Sequence, residues 1–501
     1  MSRLSKIVID IAVFGCGAVV MVYEIVGSRV IAPYIGTSTY TWTSLIGVIL
    51  AALSLGYWLG GRWADKGPKL SVLAAVIFFA GAMVSVTILI KEPALAVLSG
   101  ATLPIEIAAV IAALLLFAPA SVLLGFVSPY AIRLSVESIA QTGRTIGRLY
   151  ALSTIGSIAG TFFAGFFLIP FVGTNRTLYL LAAALFLISF AIVPMARTNS
   201  RIAALLILFL GIALTEGQAL VLHSANNYHD IDTEYNRVRI FDTVKNGRPL
   251  RVMMIDPFIY QSSVYLDTRE SGADYMRFYE LAFDFKPQLS RALLIGGAGY
   301  GFPRRFVNIR ERATIDVVEI DPAMTTLAKR HFYLRDDPRI RSVHADGRIF
   351  LNKAERSIYD AVFVDAFNSL FSVPFHLTTL EAVQKIRRTL KQDGVVLVNI
   401  GTALEGEGSR FLDAEAATYQ AVFEYVEIYR VDVSKPRDRI QNVILAASSR
   451  PLVSRSAGHR RHGMLDNAEK ERRPAALILT DDLAPVERMI SIAQSRFSAK
   501  R

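Results

Sequence analysis

A glycine-rich stretch, Gly296-Gly297-Ala298-Gly299-Tyr300-Gly301, follows the apolar run 291–295. Three acids stand at the ends of later apolar runs: Glu319, Asp346 and Asp365. Glycine at a strand-to-helix turn lets backbone approach a ligand closely, and an acid about 20 positions on has the spacing that grips ribose hydroxyls. Glu319 lies 20 positions beyond Gly299. A glycine loop alone also serves any tight turn, but a loop followed by three strand-end acids in order points to a nucleoside ligand. A dinucleotide fingerprint fits less well, because it wants a third glycine where Phe302 stands, and phenylalanine is too large for close helix–strand packing. A strand-end acid such as Asp365 also has a plainer role, to cap the following helix.

These residues need strands to carry them. The runs 291–295, 314–319, 359–364 and 394–399 are largely apolar, 341–345 is a more polar strand candidate, and all alternate with helical sequence, as in 376–391. That pattern predicts a doubly wound α/β domain with a parallel sheet over 290–501, with further strands at 425–431 and 443–447. In such sheets ligands bind at the carboxyl ends of the strands. Residues 225–289 read as a small β-unit, with Asn246-Gly247 as a hairpin turn. Residues 449–475 are basic, polar and poor in large apolar side chains. They read as a mobile insertion and not as a nucleic-acid arm, since interleaved aromatics are missing.

The first 224 residues differ in kind. They hold 13 Lys and Arg and 7 Asp and Glu, against 41 and 36 in the remainder of a chain of 501 residues and net charge +11. Mean hydropathy is +0.39. This predicts a multi-span membrane domain over 1–224, with seven apolar runs near 7–27, 42–61, 70–90, 105–126, 149–170, 177–194 and 202–222. The lone Cys16 excludes an internal disulfide and a thiolate metal cluster, and no metal is expected. With a cytoplasmic N-terminus, ten Lys and Arg fall on inside segments and three on outside ones. An odd span count then puts the C-terminal domain outside a cell (inner) membrane. Glu24 and Glu216 are the acids within spans, and Gly56, Gly60, Gly61, Gly156, Gly160 and Gly165 suit close helix packing. The loop Gly61-Arg62-Trp63-Ala64-Asp65-Lys66-Gly67 resembles one in major facilitator transporters.

Leu293 to Asn399 resembles the spermidine synthase (polyamine aminopropyltransferase) family. The likeness rests on the glycine loop, Val318-Glu319-Ile320-Asp321-Pro322, Asp346-Gly347-Arg348-Ile349-Phe350-Leu351 and Tyr359-Asp360-Ala361-Val362-Phe363-Val364-Asp365. Tyr23-Glu24-Ile25-Val26-Gly27-Ser28-Arg29, Ala32-Pro33-Tyr34-Ile35-Gly36 and the ending Leu479-Thr480-Asp481-Asp482-Leu483-Ala484-Pro485-Val486-Glu487 resemble membrane-fused members. The resemblance implies a Rossmann-like, seven-stranded methyltransferase-type sheet. It also implies a donor, decarboxylated S-adenosylmethionine or S-adenosylmethionine itself, and an amine or polyamine acceptor. Gln261, Tyr275, Gly296, Gly297, Gly299, Gly301, Glu319, Asp346 and Gly347 would bind the donor, with Glu319 on the ribose and Asp346 on the adenine amine. Asp365 would take the proton from the attacking amine. A lipid bilayer is the other expected partner, and a homodimer is compatible with the pattern.

Two positions depart from the family. Gly299 replaces a loop aspartate, and Asn368 replaces a second aspartate beyond the fourth strand. Both lost carboxylates would face a cationic donor or acceptor. A glycine at 299 would no longer repel the carboxylate of intact S-adenosylmethionine, and the amides of 297–301 would remain as anion donors at a helix start; Arg304 and Arg305 would either add positive charge or, as surface residues, be solvated. Three alternatives to aminopropyl transfer therefore stand: methyl transfer, nucleoside binding without chemistry, and a transport bundle with an accessory domain.

Overall fold

The computed structural model describes residues 3–193 except 37 and 102, scattered positions between 202 and 217, and residues 226–490 except 256–259, 367–372, 454–463 and 470–475. Asn368, Glu216 and most of the expected seventh span lie outside the described residues. The chain divides into two compact units, Met1–Ala225 with Asp232–Glu234, and Asn226–Ile231 with Tyr235–Arg501.

The first unit is helical: α1 (Arg3–Ile35), α2 (Thr39–Ala64), α3 (Leu70–Gly100), α4 (Ile105–Leu116), α5 (Ala118–Ser135), α6 (Thr142–Phe163, continued as a π-helix over Ala164–Val172) and α7 (Thr174–Ile192). Among the described residues, five helices are long and apolar enough to cross a bilayer, and α4 with α5 makes a sixth if the pair is one broken span bent by 55°. The run expected to be continuous at 105–126 is therefore interrupted. Pro119 lacks an amide hydrogen and sits just after the break. The Leu116 carbonyl at the break accepts hydrogen bonds from the Tyr23 hydroxyl at 2.8 Å and the Thr87 hydroxyl at 2.7 Å, so the interruption leaves no orphaned acceptor there. Close helix approach uses four of the six anticipated glycines. A methyl group at Gly56 or Gly60 would overlap the backbone of α5, and one at Gly156 or Gly160 the backbone of α1. Gly61 and Gly165 have open space around them.

In the second unit, β1 (His229–Asp232), β2 (Arg237–Lys245), β3 (Arg248–Met254) and β4 (Tyr260–Tyr265) form a sheet in that order. Lys245 pairs with Arg248 around Asn246 and Gly247, whose φ values of 53° and 75° are those a two-residue hairpin turn requires. Val238, Ile240, Met253 and Val264 of this sheet form one apolar cluster with Met324, Leu327 and Phe332.

The second sheet holds β5 (Arg291–Ile295), β6 (Thr314–Glu319), β7 (Ile340–His344), β8 (Tyr359–Val364), β9 (Leu390–Thr402), β10 (Tyr425–Arg430) and β11 (Gln441–Ser448) in the order β10-β11-β9-β8-β5-β6-β7. Six of the seven strands run in one direction, and β11 alone runs against its neighbours β9 and β10. The wholly parallel sheet is thus corrected to a mixed one. Here β10 and β11 are joined without a crossover helix, and a parallel pair would need one. The sheet is flanked by α8 (Gly301–Ile309), α9 (Pro322–His331), α10 (Gly347–Lys353), α11 (Leu380–Thr389) and α12 (Arg410–Gln420). Part of the anticipated mobile insertion is anchored: Ala468 bridges to Tyr429, and the Glu469 carboxylate pairs with Arg437.

Glu415 of α12 is fully buried, and neither carboxylate oxygen has a hydrogen-bond partner. Burial pushes its pKa well above the ordinary 4.5. The folded state therefore holds a proton that the unfolded chain releases. Its contribution to stability is fullest below pH 4.5 and declines as pH rises toward the raised pKa. Glu415→Gln should therefore have a higher Tm than the parent at neutral pH, with the difference shrinking toward pH 4.5, as read from thermal unfolding across that range.

Candidate active site at the strand ends

The turn after β5 begins with Gly296, at φ 95°, where a side chain would run into the Asp365 carbonyl. Only glycine joins the β5 and β8 ends this closely. From the next strand, Glu319 reaches back into the loop. One carboxylate oxygen accepts the amides of Gly297 (2.8 Å) and Ala298 (2.9 Å), and the other accepts that of Asp321 (3.0 Å). Burial pushes the Glu319 carboxyl up, while the three amides pull it down, leaving it raised on balance. Asp321 then caps α9 through the Ala323 amide, with Pro322 as the first helical residue. Glu319 thus organises the loop.

The loop offers no anion cradle over 297–300. The amides of Gly297 and Ala298 serve Glu319, that of Gly299 donates to the Ser262 hydroxyl at 2.9 Å, and that of Tyr300 to the Gly297 carbonyl at 2.8 Å. Nor is Gly299 an open seat for a charged side chain. A Cβ there would lie 2.7 Å from the Ser262 Cβ and 3.3 Å from Phe332. Arg304 is spent on the Phe332 and Arg269 carbonyls, and Arg305 on Glu280. Of the groups expected to attract a donor carboxylate, the amides of 297–300 and both arginines are thus already engaged. Phe302, at the third-glycine position of a dinucleotide fold, is buried against Tyr279 and Phe363 at ring distances of 5.0 and 4.6 Å.

Asp365 follows β8, whose six residues are all buried. One carboxylate oxygen accepts the Tyr275 hydroxyl at 2.8 Å, and the other accepts the Asn399 amide at 3.0 Å. Asn399 in turn accepts from Asn442 at 3.0 Å. Desolvation pushes the Asp365 carboxyl up, against the lowering effect of Asn399 and Tyr275. Burial and the Asp365 charge hold the Tyr275 hydroxyl well above its ordinary range, so it stays a donor. Tyr275, expected as a donor-binding group, thus lies on the acid expected as the base. Asn399 was not singled out as functional; its signal is one polar residue after the run Val395-Val396-Leu397-Val398.

The remaining residues lie around the same strand ends. Asp346 caps α10 through the Ile349 amide at 2.9 Å, and its other oxygen lies 3.2 Å from His376 Nε2. A Cβ at Gly347 would meet Ile295 at the end of β5, and one at Gly301 would meet Met276. Gln261 is half-buried in β4, beside Ser262.

Residues 278–441 match the family described as Spermine/spermidine synthase domain. The polyamine aminopropyltransferase of Vibrio vulnificus is 28% identical over 237 residues, covering 46% of this chain and 73% of that protein. The C-terminal region is a spermine/spermidine synthase domain. Polyamine aminopropyltransferase 1 of Streptomyces coelicolor is 26% identical over 437 residues, 80% of this chain and 77% of its own, a match too long to be confined to the synthase domain. Putrescine N-methyltransferase 1 of Nicotiana tabacum is 30% identical over 199 residues, 37% of this chain and 48% of its own. With this synthase domain the chain is a transferase.

Two substitutions test the loop. Gly299→Asp should lower stability by about 1–3 kcal/mol, because the new side chain must displace Ser262. Glu319→Ala should cost about 2–4 kcal/mol, since amides that now meet a carboxylate lose their acceptor. Thermal unfolding of the purified full-length protein reads both.

Proposed function

We propose that the synthase domain transfers an alkyl group from a sulfonium nucleoside donor to an amine, with Asp365 as the base. Aminopropyl transfer from decarboxylated S-adenosylmethionine to a polyamine-type acceptor is the first reading. Both its curated aminopropyltransferase relatives and the domain match support it. The observation that carries the reading is Asp365 itself: a desolvated carboxylate at a strand end, held from two sides by Tyr275 and Asn399 beside the glycine loop. An amine is mostly protonated at neutral pH, so the nucleophile must be made locally. In the step, the nitrogen lone pair attacks the carbon bound to sulfur. Asp365 takes the ammonium's proton beforehand to free that lone pair; on attack the carbon–sulfur bond breaks, its electrons leave a neutral thioether, and the product nitrogen leaves as an ammonium. Glu319 and Asp346 are assigned to the ribose and the base of the donor.

Methyl transfer from S-adenosylmethionine is the second reading. It is favoured by the packed surroundings of Gly299, which leave no room for a carboxylate that would select a decarboxylated donor, and by the putrescine N-methyltransferase relative. In either reading the helical unit is assigned to a lipid bilayer, on the length and apolarity of its helices.

Purified full-length protein supplied with putrescine and each donor in turn distinguishes the two, by mass analysis of the product. Asp365→Asn should lower turnover by about a hundredfold or more while donor affinity changes little. In the parent, kcat should fall as pH drops through the raised Asp365 pKa, since the protonated acid accepts nothing. Turnover in Asp365→Asn near the parent rate would remove Asp365 from the chemistry.

A further inference from the structure

The ending Leu479–Val486 is not used by the reaction just described, yet it is built deep into the domain. Leu479 and Val486 are fully buried. The Leu479 carbonyl accepts the Leu380 amide at 2.7 Å, and its amide donates to Thr418 at 3.0 Å, so the segment is bonded to both α11 and α12. Asp481 then meets Thr379 and Arg348. One carboxylate oxygen accepts the hydroxyl of Thr379, the cap of α11, at 2.7 Å, and the other accepts Arg348 at 2.5 Å. Its backbone amide donates to Glu381 at 2.9 Å.

Arg348 is the link. It lies two residues beyond Asp346 in α10, and its guanidinium also donates to the His376 carbonyl at 2.9 Å and to Thr379 at 3.1 Å. The ring of that same His376 lies 3.2 Å from the Asp346 carboxylate. Arg348 therefore fixes the start of α10 and the backbone of His376, the two neighbours that set where the Asp346 carboxylate points. A planar guanidinium can hold several acceptors in one geometry, whereas an ammonium cannot. Although desolvation opposes it, Thr379 and Arg348 hold the Asp481 carboxyl below the usual range, so it is charged at neutral pH.

We propose that Asp481 is a positioning residue for recognition of the donor's base: through Arg348 it fixes Asp346 and His376 where they meet the exocyclic amine of adenine. This rests on the nucleoside reading above. The test is calorimetric binding of 5′-methylthioadenosine and of its 6-oxo counterpart, 5′-methylthioinosine, to full-length protein. The parent should prefer the 6-amino nucleoside. Asp481→Asn should weaken its binding about tenfold, a change of 1.4 kcal/mol, while the 6-oxo nucleoside changes little, so that the preference collapses. Arg348→Lys keeps the charge but loses the bridge, and should give the same collapse. It carries the test if Asp481→Asn does not fold. Equal weakening of both nucleosides, or an unchanged preference, would overturn the positioning role. Failure of the parent to bind either nucleoside would overturn the nucleoside reading, and the positioning role with it.

Discussion

A single buried carboxylate sets the geometry of the strand-end site. Glu319 collects three backbone amides from two different connections, the loop after β5 and the turn after β6. Charge-assisted hydrogen bonds of this kind are among the stronger polar interactions in a protein, and burial makes leaving them unmade expensive. Once the loop is pinned to β6, Gly296 can pass against the Asp365 carbonyl, Tyr300 can enter the core, and α8 can start. Tyr300 adopts φ 55°, a left-handed conformation costly for a residue with a Cβ. Its hydroxyl reaches Thr325 at 2.8 Å and Ser342 at 3.0 Å, which holds the ring between α9 and β7. The loop is thus specified from below by Tyr300 and from the side by Glu319.

The cage around Asp365 draws on more distant parts of the chain. Tyr275 precedes β5, Asn399 lies in β9 and Asn442 in β11. Asn399 can bridge Asp365 and Asn442 because β9 lies between β8 and β11. The antiparallel insertion of β11 therefore bears on the proposed base: it brings Asn442 beside Asn399 and orients the amide that Asp365 accepts.

These origins explain which features could be read from the sequence. Asn246-Gly247 was legible because turn chemistry is local, and so were the Glu319 and Asp365 positions, since buried parallel strands end where apolar runs end. Four glycines of helix packing were legible from small-residue spacing. The surroundings of Gly299 were not, because Ser262 and Phe332 arrive from β4 and the end of α9, long-range neighbours that no local pattern encodes. The reversal of β11 was equally hidden, since a buried strand has the same composition in either direction. The break at Phe117 depended on hydroxyls from α1 and α3 to satisfy Leu116, again a tertiary matter. Asp346 shows the two levels together: its capping role is local, and its approach to His376 is not.

Filling of the space at Gly299 concentrates the electrostatics of the proposed reaction on Asp365. A family aspartate at that loop position would attract the cationic substrate and leave the strand-end acid free for proton transfer. Here the loop contributes no carboxylate, so in the proposed reaction Asp365 would both attract an ammonium and deprotonate it. Desolvation reconciles the two demands. It raises the carboxyl pKa, and the same surroundings lower that of an entering amine, because both charged forms lose water. Both shifts narrow the gap between their proton affinities, which lowers the cost of moving the proton. Tyr275 and Asn399 oppose part of this rise by stabilising the carboxylate. Their hydrogen bonds favour the charged form, the one that attracts an ammonium.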